Sequence, residues 1–308
     1  MEQNPFIENK INFKLERDFS GLMNATFAFV KAEFKPLFKI LIIRFLPLIL
    51  IIGVLTALSN YEQLASAQLT NSSNPFDNNL AQFSNIYFLL NLFFMIVFFT
   101  YLQCIVFLYI KHYNNKDEML PNEYIKANLM NYIFPIVGIN ILVGILVGLG
   151  TLFLIIPGIY LYVATSLAAS AFVMEDIGIY DAITRSVRLI KRYWWVSFAG
   201  LLVIGILYGL IGFVFNIPLY ILLFISVFNG SALEDFLSSG SITIDIIINT
   251  FSTLGYFATS LMYIYLVLNY YNLVERKEAG SLIDSINEID DEYNVGDDGN
   301  VEQSDKNA

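Results

Sequence analysis

The chain alternates between long stretches without any ionisable side chain and short stretches that carry nearly all of its charge. No Lys, Arg, Asp, Glu or His occurs from Asn78 to Ile110, from Tyr132 to Met174, from Tyr193 to Leu233 or from Ile246 to Val274. An uncharged apolar run of about 18 residues or more is a membrane-span candidate. A helix rises about 1.5 Å per residue and the hydrocarbon layer is about 30 Å thick, so each crossing takes roughly twenty residues. That length decides where the longer runs fold back. Tyr132 to Met174 is about twice too long for one crossing, and Pro157-Gly158 supplies a break, since proline suits the first turn of a new helix. The run after Trp195 is interrupted at Asn216-Ile217-Pro218, which leaves Leu219 to Phe228 as a remnant too short to cross and predicts an interfacial or re-entrant segment. The pattern predicts spans at 38–58, 86–110, 132–153, 157–174, after 195, and 246–271. The expected fold is all-α, a polytopic transmembrane helical bundle of six spans.

Composition agrees with a lipid solvent: 56% of the 308 residues are hydrophobic and 14% charged, against roughly 25% charged in soluble domains. The first thirty-six residues read as a polar, amphipathic segment ending at Pro36, so span one is expected to act as its own insertion signal. A membrane domain over 37–274 and an acidic tail over 275–308 complete the organisation. The single cysteine, Cys104, excludes an intrachain disulfide and reads as a buried small hydrophobe.

The basic residues fall on one side of the predicted spans. Lys10, Lys14, Arg17, Lys31, Lys35 and Lys39 precede span one; Lys111, Lys116 and Lys126 follow span two; Arg185, Arg188, Lys191 and Arg192 follow span four; Arg276, Lys277 and Lys306 follow span six. The opposite loops, 59–85, the Pro157 turn and 229–245, contain none. Cytoplasmic loops retain Lys and Arg, so both termini are expected in the cytoplasm. Each segment leading into an outward-going span also reads as an amphipathic elbow helix at the membrane surface. The first has an apolar stripe of Phe19, Leu22, Met23, Phe27, Val30 and Phe34, and the second, opened by Pro121, has Ile125, Leu129 and Ile133. In the third, Ile179, Ile183, Val187, Ile190 and Trp194 oppose Asp181, Arg185, Arg188 and Arg192. Cations on such a face meet anionic headgroups and tryptophans anchor at the boundary. Arg185, Arg188, Lys191, Arg192, Trp194 and Trp195 are therefore the candidate contacts to headgroups or a partner.

Within the spans, small residues are where helices in lipid approach closely. Gly144 and Gly148, Ala164 and Ala168, and Gly205 and Gly209 predict a tight centre of spans three to five, or else a face for a second copy. Intramembrane polar groups mark function by default; the candidates are Arg44, Gln103 and Asn140. Arg44 stands near enough to the end of span one to reach the interface, and the alternative gives it a role with Gln103 or Asn140. A continuous polar path through the three would point to transport; a close-packed bundle would point to a scaffold.

No phosphate-binding loop, H-E-x-x-H or carboxylate metal set occurs, and one histidine, His112, builds no His-pair centre. Neither catalysis, metal nor cofactor is expected. A net charge of −10 and a pI near 4.6 disfavour nucleic acid. From Glu275 onward eleven acidic residues stand against three basic ones, a solvated tail with a short apolar stripe at Leu282, Ile283, Ile286 and Ile289. The expected partners are membrane lipids, with a membrane protein or a second copy of the chain as the other candidates.

The segment Pro157-Gly158-Ile159-Tyr160-Leu161, the small-residue helix behind it, Glu175, and Ala182-x-x-x-Ser186-x-x-Leu189 leading to Trp194 resemble the membrane domain of glycerophosphoryl diester phosphodiesterases. Glu16-Arg17-Asp18-Phe19 through Phe38 and Leu273 through Glu278 are similar to stand-alone versions of that domain in Bacteroidetes-type bacteria. The resemblance implies a multi-span helical domain in a bacterial inner membrane. It does not bring the phosphodiesterase activity, whose separate barrel with its metal ligands this chain lacks. The expected function is a non-catalytic scaffold or accessory role that binds anionic lipid or a membrane partner. The alternative is a small transporter or lipid-handling protein with a cavity among spans three to five.

Overall fold

In hydrocarbon no water is at hand for backbone N–H and C=O groups, so an uncharged apolar run must satisfy them internally, as a helix. A computed structural model describes residues 11–70, 83–115, 119–228 and 242–277, and among them there is no strand. The helices are α1 (Phe19–Thr70), α2 (Ile86–Asn115), α3 (Pro121–Phe153), α4 (Ile155–Thr165), α5 (Ala168–Glu175), α6 (Ile179–Ile190), α7 (Trp194–Phe228) and α8 (Ile242–Leu254). A 3₁₀ turn at Gly255–Ala258 then leads into α9, residues 259–277. Six helical stretches are long and apolar enough to cross a membrane. The chain is an all-α polytopic bundle, a multi-pass membrane protein.

The central element is α2, in which every residue from Leu102 to His112 is buried. It packs against α1 and α3, and α1 packs along α8. An aromatic cluster ties these together, with the Phe45 ring 4.9 Å from Phe98, 4.8 Å from Tyr101 and 5.6 Å from Phe257. Backbones approach closely where α1 crosses α8. A Cβ on Gly53 would lie 2.2 Å from Thr250 Oγ1 and 2.8 Å from its Cα, so only glycine fits.

The expected fold-back near Pro157 is present with its turn three residues earlier, and two other expectations from the sequence are corrected. The chain turns between α3 and α4 at Leu154, whose backbone is extended (φ −162°, ψ 147°), three residues before Pro157. Pro157 occupies the first turn of α4, where its missing N–H costs nothing. First, Leu219 to Phe228 is no separate segment: α7 runs through Pro218 for 35 residues, about 52 Å at 1.5 Å per residue. Second, spans three to five are not a tight centre as a whole: Ala164 and Ala168 of span four are buried as expected, but the glycine faces of spans three and five are open. Only 17% of the most apolar windows of α3 and α7 is buried, against 61% for α2. A Cβ on Gly144, Gly148, Gly205 or Gly209 would meet nothing within 4 Å.

The segment ahead of α1 is docked rather than merely polar. Phe13 is fully buried among Phe29, Tyr113 and Tyr271, with ring centroids 5.2, 5.8 and 6.0 Å away. The Ile11 N–H donates to the Tyr113 hydroxyl (2.9 Å) and the Arg17 N–H to Asn272 Oδ1 (2.7 Å). The start of α1, the end of α2 and the end of α9 thus meet at one end of the bundle, hereafter the basic end. The opposite end joins Asn85 to Ser59 (3.2 Å). The acidic tail beyond Lys277, with its stripe at Leu282 to Ile289, lies outside the described residues.

Candidate functional site

The basic end is built around a break in span four. Between α4 and α5 the helix fails at Ser166-Leu167, which leaves the Leu167 N–H without its helical acceptor. Ser186 of α6 closes the gap: its hydroxyl accepts from the Leu167 N–H (3.1 Å) and donates to the Ala164 carbonyl (2.8 Å). This fixes which face of α6 is buried. Ala182, Ser186 and Leu189 lie inside with Ile190, whereas Val187 of the expected stripe is 39% exposed. The face is rotated by about one position because small side chains, not the largest ones, let α6 lie against α4 and α5.

Two ion pairs then anchor the turn from α5 to α6. Lys111, 8% exposed at the end of α2, donates to Asp176 (2.5 Å), to the Val173 carbonyl (2.7 Å) and to the Tyr132 hydroxyl (2.8 Å). Asp176 closes α5 in the left-handed conformation (φ 54°), which Asp tolerates better than most residues. Burial pulls its carboxyl upward, but the hydrogen bonds from Lys111 and Tyr132 and the Lys111 charge outweigh it. The net pKa lies below the usual carboxylate value. Beside this pair, Arg185 of α6 holds Glu175 (Nη2 to Oε1, 2.9 Å), and Tyr270 of α9 donates to the same oxygen. Farther out Arg276 pairs with Glu16 (3.3 Å) and lies over the Tyr193 ring (5.4 Å).

Outside these pairs is an open recess of about 840 Å³, whose ionisable lining residues are Arg188, Lys191, Arg192 and Lys277, over Ile183 and Val187. Lys277 donates to the Arg188 carbonyl, which seats an ammonium on the last turn of α6, the negative end of the helix dipole. Of the six candidate contacts, Arg188, Lys191 and Arg192 reach this recess, whereas Arg185 is turned inward to Glu175. Trp194 is stacked between Tyr160 (5.6 Å) and Phe198 (5.2 Å), its Nε1–H donating to the Tyr160 carbonyl (3.3 Å). Trp195 points outward, 74% exposed. The two adjacent tryptophans thus have different jobs, one in packing and one facing the surroundings.

The intramembrane polar candidates separate into two places. Arg44 reaches Asn122 at the start of α3, with Nη2 2.7 Å from Oδ1 and 3.2 Å from the carbonyl, and Nη1 3.4 Å from the Tyr101 hydroxyl. It makes no contact with the other two. Asn140 donates to Gln103 Oε1 (2.9 Å) and to Thr100 Oγ1 (3.4 Å). Among the described residues no hydrogen-bonded path joins Arg44 to Gln103 and Asn140. Among the described residues no three His, Cys, Asp or Glu side chains cluster as metal ligands.

Reading the sequence for sites missed Lys111, Glu175, Asp176, Tyr270 and Lys277. Their one signal was position: Lys111 and Glu175 each stand immediately after a charge-free run, where an ion must find a partner or water. Compared with known proteins, the chain matches no family model, no curated protein and no solved structure. Fold and site together define a class: an all-α multi-pass membrane protein with an ion-paired basic end and an outward cationic recess.

Proposed function

We propose that the protein is a non-catalytic accessory protein of the bacterial cytoplasmic membrane, with its basic end in the cytoplasm, where the recess beside α6 holds anionic lipid headgroups. The observation that carries this is the recess itself: four cations and, among the described residues, no acidic side chain in its lining, over apolar side chains suited to acyl carbons. Juxtamembrane cations are each worth about 1 kcal/mol near an anionic leaflet. The rule that cytoplasmic loops retain basic residues supports the orientation. The resemblance to the membrane domain of glycerophosphoryl diester phosphodiesterases belongs to the same reading.

The test is lipid selectivity of the full chain in vesicles that mix phosphatidylglycerol with phosphatidylcholine, read by spin-labelled lipids restricted at the protein surface. Phosphatidylglycerol is expected to be preferred several-fold, less so at high salt, and the Arg188→Gln/Lys191→Gln/Arg192→Gln variant is expected to lose the preference. An equal affinity for both lipids in the unmodified protein contradicts the reading and leaves an acidic protein partner as the occupant.

A further inference from the structure

Helices α2, α3, α4, α7 and α9 surround a second cavity, of about 480 Å³, beside the Gln103–Asn140 pair. Its size falls in the range of small-molecule sites, roughly 300–1,000 Å³. Among the described residues no Lys, Arg, Asp, Glu or His lines it. Charge selection is thus absent, and the polar groups present are uncharged donors and acceptors.

Several of those groups are unused. The pair employs Gln103 Oε1 and Asn140 Nδ2, so the Gln103 NH₂ and the Asn140 carbonyl have no hydrogen bond among the described residues. Neither have the hydroxyls of Tyr162 and Tyr208, and Thr259 Oγ1 is buried without a partner. Unsatisfied polar groups within hydrocarbon cost several kcal/mol, and here donors and acceptors converge on one space. A hydroxyl is the group that matches both, since it donates once and accepts twice. The remaining wall, with Val143, Met262 and Leu266, suits alkyl chain. Tyr162 is 48% exposed, so the cavity reaches the surface along α4, a segment that lies within a candidate span.

We propose that this cavity binds the uncharged, hydroxyl-bearing end of a membrane lipid, of the diacylglycerol kind. The site is independent of the cationic recess: it uses no basic residue, and its failure or success leaves the headgroup reading untouched. The experiment is photolabelling of the full chain in phosphatidylcholine nanodiscs with a diazirine-bearing diacylglycerol, its 3-acetylated analogue as comparison, and free glycerol as competitor. The expected result is labelling on α3, α4 or α7 peptides, at least tenfold weaker for the acetylated analogue and unaffected by glycerol. Gln103→Met/Asn140→Leu, which keeps each side chain's branching at Cγ without its polar groups, is expected to reduce it to the analogue's level. Because the two probes are compared on the unmodified protein, misfolding of the variant does not blunt the test. Equal labelling by both probes overturns the proposal, as does labelling confined to other helices. No labelling at all leaves water as the occupant and also overturns it. Competition by glycerol assigns the site to a soluble polyol and overturns the lipid source.

Discussion

Lys111 is the residue on which the basic end turns, because a cation this deeply buried is tolerable only with its partners in place. Asp176, whose side chain is 57% exposed, supplies the balancing charge. Asp176→Asn keeps the left-handed cap but removes that charge, and is expected to cost about 1–2 kcal/mol, below the range for fully buried pairs because water screens the carboxylate. Unfolding in mild detergent reads the loss. The pH dependence has a definite sign. A carboxyl held below its unfolded value, near 3.9, stabilises the fold above that value and loses this contribution as pH falls through the folded one. The unmodified protein should therefore lose stability on acidification below about pH 5 more steeply than Asp176→Asn does. Ser186 carries the second prediction. Ser186→Ala removes the bonds to Ala164 and Leu167 and should lower stability by about 1–2 kcal/mol, whereas the exposed Thr184→Ala should change it little. Neither residue was legible as structural from spacing alone, since Ser186 answers a helix break at Ser166-Leu167 that no periodicity reveals.

Helices here are placed by contacts between a few small or polar positions, and the glycines separate the contacts that matter from those that do not. Gly53→Ala forces Thr250 backbone aside and is expected to destabilise by about 2 kcal/mol or more. Gly209→Ala meets open space and should be neutral, or stabilising by up to about 1 kcal/mol through helix propensity. The reverse ranking in a detergent-unfolding series would show that α3 and α7 pack against something through their glycines. The existence of the helices was legible because hydrocarbon leaves the backbone one option, and a charge-free run announces it. Their internal breaks were legible only in part: the fold-back near Pro157-Gly158 was, whereas the break at Ser166-Leu167 and the unbroken run through Pro218 were not. Pro36, Pro135 and Pro218 all lie inside continuous helices, since proline removes one N–H while the rest of the helix has no water to replace its other bonds. The failure at Leu154 and the bend at Gly255–Ala258 are set by neighbours instead, Gly158 closing on Thr151 and Gly255 on Phe215. The first apolar stripe only partly coincides with the buried face: Leu22 and Met23 are buried and Phe27 and Phe34 exposed, while Phe29 off the stripe is buried, because in lipid both faces of a helix are apolar.

At the scale of the molecule, what organises the chain is the gathering of its described cations at one end, while the long runs between carry none. That asymmetry was legible in the loops; the pairing of Lys111 with Asp176 and of Arg185 with Glu175 was not, because it joins residues 65 and 10 positions apart across packed helices. The direct measurement is the sidedness of two exposed positions in a Cys104→Ala background, Lys14→Cys at the basic end and Ser84→Cys at the other. An impermeant maleimide is applied to intact spheroplasts and again after permeabilisation. A bundle oriented with its basic end inward labels Ser84→Cys at once and Lys14→Cys only after the membrane is opened. Labelling of both from outside, or of Lys14→Cys alone, would contradict it.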